Sequence, residues 1–343
     1  MQREGESQRT WDVVGFGENS VDLVATVAGL PPPDGKARLE SLETLPGGQI
    51  ATAMVGCARL GLSVRYIGAF GTDSHAAVIC DALTREGVDR TWCRTAEAST
   101  RTAMIIVDAA AQTRTVLWHR DDALLWGDDV PVDAVLGAKV LLVDATEPHA
   151  SARMARAARA AGVLTVADVD AQVPGLDALL AEVDILVVSE PLSGDVRHLH
   201  AASAARVVVA TLGANGAIAW DGETEHYAPG YVVPVTDTTG AGDAFRAGLI
   251  WALLNPGPPG PRDFWTPGLL DPWTGGLWSD FLDLANATAA LNCRGRGAQS
   301  GLPTRAELQH FVTQSPLRRS KETWGREQTV PPLSGAPERG DGE

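Results

Sequence analysis

The sequence is poor in cysteine and has no long apolar run. Its four cysteines are scattered over 343 residues, with neither a C-x-x-C pair nor the spacing of a zinc site. In a chain of this length we expect reduced, partly buried thiols and no disulfide framework. The first residues lack the apolar stretch of a secretory signal, and no run approaches the roughly eighteen apolar residues of a membrane span. These absences predict a cytoplasmic protein.

Positive charge is scarce as well. The chain has 28 Lys and Arg against 43 Asp and Glu, which gives a formal net charge of −15. This balance argues against a basic face that binds nucleic acid or an anionic membrane. It does not exclude a small anionic ligand, because a nest of backbone N–H groups can hold a phosphate on an acidic protein. With 45% hydrophobic residues, the length suits one large α/β domain or two small ones.

Strand and helix patterns alternate along most of the chain. From Lys139 onward, short β-branched runs and Ala- or Leu-rich stretches follow each other, which predicts a mostly parallel sheet covered by helices on both faces. Asp144 and Asp168 end two of these predicted strands, where a carboxylate either lines the ligand crevice or caps a loop. Residues 21–45 and 99–120 break the rhythm with strand patterns that no helix separates, and the second is typical of a β-hairpin.

Two regions stand apart by composition. Residues 255–280 are crowded with Pro and Gly and contain three tryptophans. They are either a surface insertion whose tryptophans pack on the body or an aromatic surface for a partner. Residues 315–343 are rich in Pro, Gly, Arg and Glu, so we expect a flexible tail there, as in residues 1–10.

Two glycine loops are candidates for phosphate binding. The first, GFGENS at 15–20, fails the dinucleotide fingerprint, because its third glycine position holds serine and no clear helix follows. A Walker P-loop pattern is absent from the sequence. The second loop, DTTGAGDAF at 237–245, lies between a strand pattern and an apolar helix pattern. Gly240 and Gly242 allow a ligand to approach closely, and N–H groups from about Ala241 onward favour an anion.

Asp243 lies at the edge of this cradle, and two roles are open for it. A carboxylate in the first turn of a helix is ordinarily a charge partner for the helix N-terminus. Beside a bound anion it is costly, unless it accepts a proton during the reaction. Phosphoryl transfer to an alcohol needs such a base, together with donors for the transferring oxygens. Spacing alone does not choose between the two roles.

The loop DTTGAGDAF resembles the C-terminal signature of the ribokinase/PfkB family of carbohydrate kinases. Other segments are similar to the family in order and spacing: VVGFGENSVDLV, LPGGQIATAMVGCARLG, YIGAFGTDSHA, ATLGANGAIAWDG and ANATAALNCRGRGAQSGLP. The resemblance spans about residues 11–313. It implies an enzyme that phosphorylates a sugar hydroxyl, with ATP and Mg²⁺ as cofactors.

The resemblance also implies a three-layer α/β fold, with a central mostly parallel sheet and a small β-sheet lid. The lid would comprise the two segments that break the alternation, about 21–45 and 99–120. One kinase domain would then cover 11–313 and contain the Trp- and Pro-rich insertion. In relatives the lid closes over the sugar and often serves as a dimer contact, so we expect a homodimer through the lid.

Matching positions carry the family's site residues onto this chain. Asp243 matches the base that takes the proton of the acceptor hydroxyl. The anion hole matches Gly240, Ala241 and Gly242, and Asp22 matches the carboxylate that accepts hydrogen bonds from the sugar. The other matched positions belong to the sugar pocket (Asn19, Gly47, Gly48, Thr52), to the nucleotide side (Thr211, Gly213, Gly216, Asn286) and to a monovalent-cation site that would bind K⁺ (Asp237, Thr239).

Two positions depart from the family pattern. Thr52 stands where the N-terminal signature usually has Asn, as in a subset resembling ketohexokinase-like and sulfofructose-kinase-like proteins. A hydroxyl replaces an amide there, which changes the sugar contact and disfavours ribokinase proper. The N-x-x-E motif, which organises Mg²⁺ and phosphate through water, would fall at 189–192, where Ser189 and Leu192 replace Asn and Glu. Glu190 is the carboxylate that would take over this metal contact.

Three functions therefore compete. The first is a kinase of a ketose or another sugar derivative, and the second is a nucleoside kinase with the same chemistry. The third is a catalytically weak sensor of sugar or nucleotide, suggested by the altered N-x-x-E region and by the Trp- and Pro-rich insertion. The intact DTTGAGD loop favours the two enzymes.

Overall fold

An eight-stranded sheet, sheet A, forms the centre of the computed structural model, which describes residues 10–111, 113–189, 195–255, 277–314 and 318. The strand order is β14-β13-β12-β11-β10-β9-β1-β4. Neighbours from β12 to β4 are parallel, and β13 and β14 add an antiparallel edge, which confirms the mostly parallel sheet. Its strands are β1 (Trp11–Phe16), β4 (Val64–Ile67), β9 (Ala138–Asp144), β10 (Leu164–Val169), β11 (Ile185–Ser189), β12 (Val207–Thr211), β13 (Ala217–Trp220) and β14 (Glu225–Ala228).

Helices cover both faces of sheet A. Along β9, Val140 and Leu142 are buried in one apolar core, whereas Leu141 and Val143 are buried in the other. Strands that are covered on both sides have this continuous apolar character. One helical layer contains α1 (Gln49–Arg59), α2 (Ser74–Arg85), α6 (Ala241–Leu254), α7 (Trp278–Asn292) and α8 (Arg305–Thr313); the other contains α3 (Pro148–Ala160), α4 (Leu176–Leu180) and α5 (Val196–Ala201). The expected three layers are therefore present.

A second, four-stranded sheet forms the lid. It consists of β2 (Ser20–Val27), β3 (Leu39–Gly47), β7 (Thr102–Asp108) and β8 (Thr113–His119), in the order β3-β2-β7-β8. The strands β7 and β8 form the expected antiparallel hairpin, and β2 joins it as a parallel neighbour. A short separate pair is formed by β5 (Ala69–Phe70) and β6 (Arg94–Thr95). The segments that interrupted the strand–helix alternation are thus the lid strands.

The two faces of the lid differ in character. Strand register places Leu42, Met104 and Leu117 together on the face opposite to that of Asp22, because side chains alternate along each strand. These three apolar side chains are 62%, 44% and 57% exposed, respectively. We call this set the outer lid patch.

The insertion at 255–280 and the two tails lie mostly outside the described residues. Helix α7 begins at Trp278, so the last residues of the expected insertion are helical. Residues 256–276 lie outside the described part of the chain. Of the two expected tails, the structure describes Thr10 and Arg318, and the latter forms an ion pair of 2.7 Å with Asp283 of α7.

The thiols agree with the expectation from the sequence. All four cysteines are free, with Cys57 buried and the other three half-buried. Within the described ranges, none of the helices combines the length and apolar character that crossing a bilayer requires.

Candidate active site

The candidate site begins at the N-terminus of α6. Gly240 caps this helix in a left-handed backbone conformation (φ +73°) and has no side chain to occupy the first N–H groups. A Cβ at this position would lie 2.5 Å from the carbonyl oxygen of Ala298, so only glycine fits. The N–H of Ala241 donates to the carbonyl of Thr238 at 3.2 Å. Among the described contacts, the N–H groups of the next two residues, Gly242 and Asp243, therefore remain free to bind an anion.

Asp243 lies in the first turn of α6, beside these N–H groups. Burial raises the pKa of its carboxyl well above the usual value of 3.8. The guanidinium of Arg246 lowers this pKa, and the carboxylates of Asp168, Asp22 and Glu18 raise it further. A carboxylate whose pKa is shifted toward neutrality accepts a proton more readily than an exposed one, which is what a general base requires.

Asp22 lies on β2 of the lid and is 5% exposed. Its Oδ1 accepts a hydrogen bond of 2.8 Å from the hydroxyl of Ser20. Gly47 packs directly on the carboxylate, since a Cβ there would lie 2.3 Å from Oδ2. Gly48, in a left-handed conformation (φ +92°), approaches the backbone of Asn19 just as closely. The structure thus brings together four of the five residues that the sequence assigned to the sugar pocket.

Asn19 is held in one orientation by its neighbours. Its Nδ2 donates to the hydroxyl of Tyr66 and to the carbonyl of Ala69, both at 2.9 Å. The Tyr66 hydroxyl donates in turn to the carbonyl of Gly17 at 2.8 Å. Among the described residues, the buried Oδ1 of Asn19 has no hydrogen-bond partner. This oxygen is therefore free to accept a hydrogen bond from a ligand hydroxyl.

A pocket at the carboxyl ends of β1 and β9 continues from Asn19. Glu18 forms an ion pair with Arg101 within it, and burial raises the pKa of Glu18 to about 8. The Nε of Arg120 is buried and has no hydrogen-bond partner in the described part of the chain. The pocket is lined by Phe16, Gly17, Glu18, Asn19, Ala69, Arg101, Arg120, Leu124, Leu125, Trp126, Asp144, Thr146 and Glu147. It thus contains carboxylate acceptors and guanidinium donors side by side.

The two strand-end carboxylates are both engaged. Asp144, fully buried, accepts hydrogen bonds from the N–H groups of Glu18 at 2.6 Å and Thr146 at 2.9 Å. It therefore lines the pocket and also fixes the loop after β1. Asp168 forms a buried ion pair with Arg246 of α6.

The nucleotide-side residues lie around β12 and the turn that follows it. Thr211 ends β12, and Gly213 and Gly216 flank the next turn in left-handed conformations (φ +55° and +103°). Asn286 of α7 is buried and donates to the carbonyl of Ala228 at 3.0 Å, next to this turn. These residues are close together, and their contact with a nucleotide stays a prediction.

The residues matched to a cation site connect the glycine loop with the lid. The Asp237 carboxylate accepts hydrogen bonds from the N–H groups of Thr239 at 2.9 Å and Gly297 at 2.8 Å, which lower its pKa despite burial. Arg114, beside the lid hairpin turn, donates to the hydroxyls of Thr238 at 3.1 Å and Thr239 at 3.3 Å. The lid therefore touches the loop that precedes the anion hole.

The assignments of Thr52 to the sugar and of Glu190 to Mg²⁺ both stay predictions. Thr52 is fully buried in α1, and its hydroxyl accepts a hydrogen bond of 3.3 Å from Gln299. Its contact with the sugar stays a prediction. Glu190, assigned to Mg²⁺, lies outside the described residues, as does Leu192.

Sequence reasoning missed several residues of this site. Glu18 belongs to the rejected glycine loop, and Arg101 and Arg120 flank the strands of the predicted hairpin. Tyr66 and Arg246 stand in apolar patterns typical of a strand and a helix, and their polar partners are distant in sequence. The arginines at the two ends of the hairpin, Arg101 and Arg120, were the sequence signal that could have pointed to this side of the pocket.

A cleft at the carboxyl ends of a parallel sheet, with free N–H groups and a carboxylate at one helix start, is typical of enzymes that transfer a phosphoryl group to an alcohol. Comparison with known families agrees. The chain belongs to the PfkB family of carbohydrate kinases, whose family model, "pfkB family carbohydrate kinase", matches residues 11–305. It is accordingly a phosphotransferase with an alcohol group as acceptor.

Individual relatives cover nearly the whole chain. The probable fructokinase-6, chloroplastic, of Arabidopsis thaliana is 29% identical, over 89% of this chain and 83% of its own. The aminoimidazole riboside kinase of Salmonella typhimurium is 28% identical, over 88% and 95%. Among solved structures, a putative ribokinase from Agrobacterium tumefaciens superposes with a TM-score of 0.76 at 24% identity, over 90% of this chain and 99% of that one. This last likeness confirms the ribokinase-like fold.

Proposed function

We propose that the protein is an ATP-dependent kinase of a free sugar, with Asp243 as the general base. The acceptor hydroxyl loses its proton to the Asp243 carboxylate while its oxygen attacks the γ-phosphorus of ATP. The bond from that phosphorus to the β–γ bridging oxygen breaks, and ADP leaves with the electron pair. The N–H groups of Gly242 and Asp243 stabilise the charge on the transferring oxygens.

One observation carries the proposal. Asp243 shares the first turn of α6 with the free N–H groups, and the charge of Asp22 is close enough to influence its pKa. The proposal places this base, these N–H groups and the carboxylate of Asp22 in one site. This combination serves group transfer to an alcohol, whereas a pure binding site needs no base.

The composition of the pocket supports a neutral sugar as acceptor. Each sugar hydroxyl both donates and accepts, and the pocket offers acceptors on Asn19 and Asp144 beside donors on Arg101 and Arg120. The ring of Trp126 contacts Phe16 at 6.0 Å and the guanidinium of Arg94 at 4.8 Å, so it already has partners where a nucleobase would stack. The relatives named fructokinase support a ketose.

The cofactors would be ATP and Mg²⁺. Mg²⁺ keeps several waters and binds through one or two carboxylates and the substrate phosphates, which suits a site without a dedicated cage. In the described residues no cluster of three metal-ligating side chains occurs. Bound Mg²⁺ would neutralise phosphate charge. The binding of K⁺ at Asp237 and Thr239 stays a prediction. Measuring turnover at increasing K⁺ concentrations tests it.

We also propose that two copies associate through their lids, in the cytoplasm. The outer lid patch is apolar and exposed, and a symmetric dimer buries such a surface.

The elements from β1 to α8 pack on sheet A or form the lid, which supports one kinase domain over 11–313.

ADP release measured over a panel of ketoses, aldoses, sugar phosphates and nucleosides tests the function. We expect turnover with a free ketose, at a kcat/KM well above that of any nucleoside. A higher kcat/KM for a nucleoside would make the protein a nucleoside kinase. Binding of a sugar by calorimetry without ADP release from any acceptor would make it a sensor.

A further inference from the structure

Arg246 is a buried cation that the proposed mechanism does not use. It follows Asp243 by one turn of α6 and is only 3% exposed. Arginine is almost never this buried unless it is paired. One guanidinium nitrogen, Nη2, donates to Oδ1 of Asp168, which is itself 1% exposed.

The guanidinium of Arg246 extends back to the start of its own helix. Long helical side chains point toward the helix N-terminus, and residues four apart are neighbours on its surface. Accordingly, Nη1 lies against Gly242, where a Cβ would be 2.3 Å from it. Gly242 provides one of the two free N–H groups, so the guanidinium borders the anion hole.

The carboxylates of Asp168 and Asp243 balance the charge of Arg246, but its hydrogen bonds are incomplete. The start of a helix carries partial positive charge, which disfavours a buried guanidinium. Asp168 compensates only in part, because its Oδ2 and the Nε of Arg246 are both buried without a hydrogen-bond partner in the described ranges. Buried polar groups without partners cost free energy. An anion held by the N–H groups of α6 would lie next to this guanidinium and supply the missing interaction.

We propose that Arg246 is a catalytic residue whose guanidinium contacts the transferring phosphoryl group, an inference that rests on the proposed function. The phosphoryl group passes from the β–γ bridging oxygen to the acceptor oxygen, and its three other oxygens carry the charge. Arginine presents several N–H donors to such oxygens and stabilises phosphoryl transfer when it is supplied at the reacting centre. Asp168 holds the guanidinium in place.

Three variants of Arg246 test this assignment. In Arg246→Gln and Arg246→Lys, we expect kcat to fall by about 10³-fold or more, since arginines in this role contribute at least that much. KM for ATP and for the sugar should stay within about threefold. In Arg246→Ala, added guanidinium chloride at millimolar concentration should restore part of the turnover. Restoration by guanidinium separates a catalytic contact from a loss of packing.

A matched control uses the other buried arginine pair. Arg65 is 5% exposed and pairs with Asp89 at 2.7 Å near the amino end of β4, away from the cleft. Arg65→Gln should lower the melting temperature with kcat within about threefold of wild type. Equal losses of stability in the two Gln variants, with kcat lost only at Arg246, would support the assignment.

A measurement without an acceptor keeps the inference separate from the proposed function. ADP with aluminium fluoride and Mg²⁺ mimics the transferring phosphoryl group, and Arg246→Gln should bind it at least about tenfold more weakly than wild type, with unchanged affinity for ADP. Normal binding or a normal kcat in Arg246→Gln would overturn the inference alone. A wild-type protein without kinase turnover and without binding of this analogue would overturn the proposed function, and the inference with it.

Discussion

At the scale of single residues, the chemistry of the site follows from how carboxylates are buried. Asp22 and Asp168 are buried, Glu18 and Asp243 are half-buried, and burial raises the pKa of every one of them. Three of them have a partner: Arg101 pairs with Glu18, Arg246 pairs with Asp168, and the Ser20 hydroxyl donates to Asp22. Asp243 has neither an ion pair nor a side-chain hydrogen bond among the described contacts. Asp243 is therefore the carboxylate that remains available to take a proton.

Replacing Asp243 by Asn should abolish most turnover. The amide keeps the size of the side chain and loses the ability to accept a proton, so kcat should fall by about 10³-fold, within the range of general-base contributions. Affinity for ATP, measured by calorimetry, should change little because the N–H groups of α6 remain. Turnover close to wild type in Asp243→Asn would contradict the mechanism.

The pH dependence of kcat should report the same carboxyl group. Asp243 acts only when ionised, and burial raises its pKa well above 3.8, so turnover should fall as the pH is lowered through a value well above 4. Arg246 lowers this pKa, and Arg246→Gln should therefore move the acidic limb of the profile to higher pH. An acidic limb near pH 4 in the wild type would be inconsistent with a buried base.

The residues of the site were predictable to the extent that their chemistry depends on local sequence. Gly240 and Asp243 belong to one glycine loop followed by one helix, so a short motif specifies both the N–H groups and the base. Arg246 lies in the same segment, but its significance depends on Asp168 at the end of β10. Pairings of this kind are set by packing, which a local pattern does not encode.

At the scale of elements, the face of the lid that carries Asp22 also carries an exposed aromatic ring. Strand register places Trp118 and Ala103 opposite each other and on the same face as Asp22. Trp118 is 62% exposed, and the guanidinium of Arg101 lies 5.5 Å from its ring. The exposed ring thus stands beside the acceptor pocket, on the cleft side of the lid.

Trp118→Ala should weaken sugar binding more than catalysis. Aromatic contacts of this kind are worth about 0.5–1.5 kcal/mol, so KM for the sugar should rise about twofold to thirteenfold, with kcat little changed. Thr115→Ala, on the opposite face of the same strand, is the control and should leave KM unchanged. Steady-state kinetics with both variants decides whether the ring covers the acceptor.

The elements were easier to predict than their arrangement in the lid. Strand patterns at 21–45 and 99–120 identified the segments, because alternating β-branched residues have a clear period. The parallel pairing of β2 with β7 joins residues far apart in sequence, and nothing local to either strand specifies that partner. Only the structure therefore shows which face of the lid carries Asp22 and Trp118.

At the scale of the whole molecule, the outer lid patch is the surface that a second copy would cover. A charge placed in the centre of a symmetric apolar interface is brought close to its own copy and is desolvated. Met104→Glu should therefore convert a dimer to a monomer in sedimentation velocity experiments. Leu136→Glu, at an exposed apolar position just before β9, serves as the control for added negative charge. A wild-type monomer at micromolar concentration would refute the proposed dimer.

The strand order of sheet A also constrains the order in which the parts of the site form during translation. From β9 to β14 each strand pairs with the next one synthesised, whereas β1 pairs with β4 on one side and must await β9 on the other. Asn19 and Asp22 leave the ribosome early, and Asp243 follows only after all of sheet A. Translation thus completes the proposed sugar-binding residues before the proposed base. Premature termination before α6 yields a chain without that base, unable to consume ATP by the proposed mechanism.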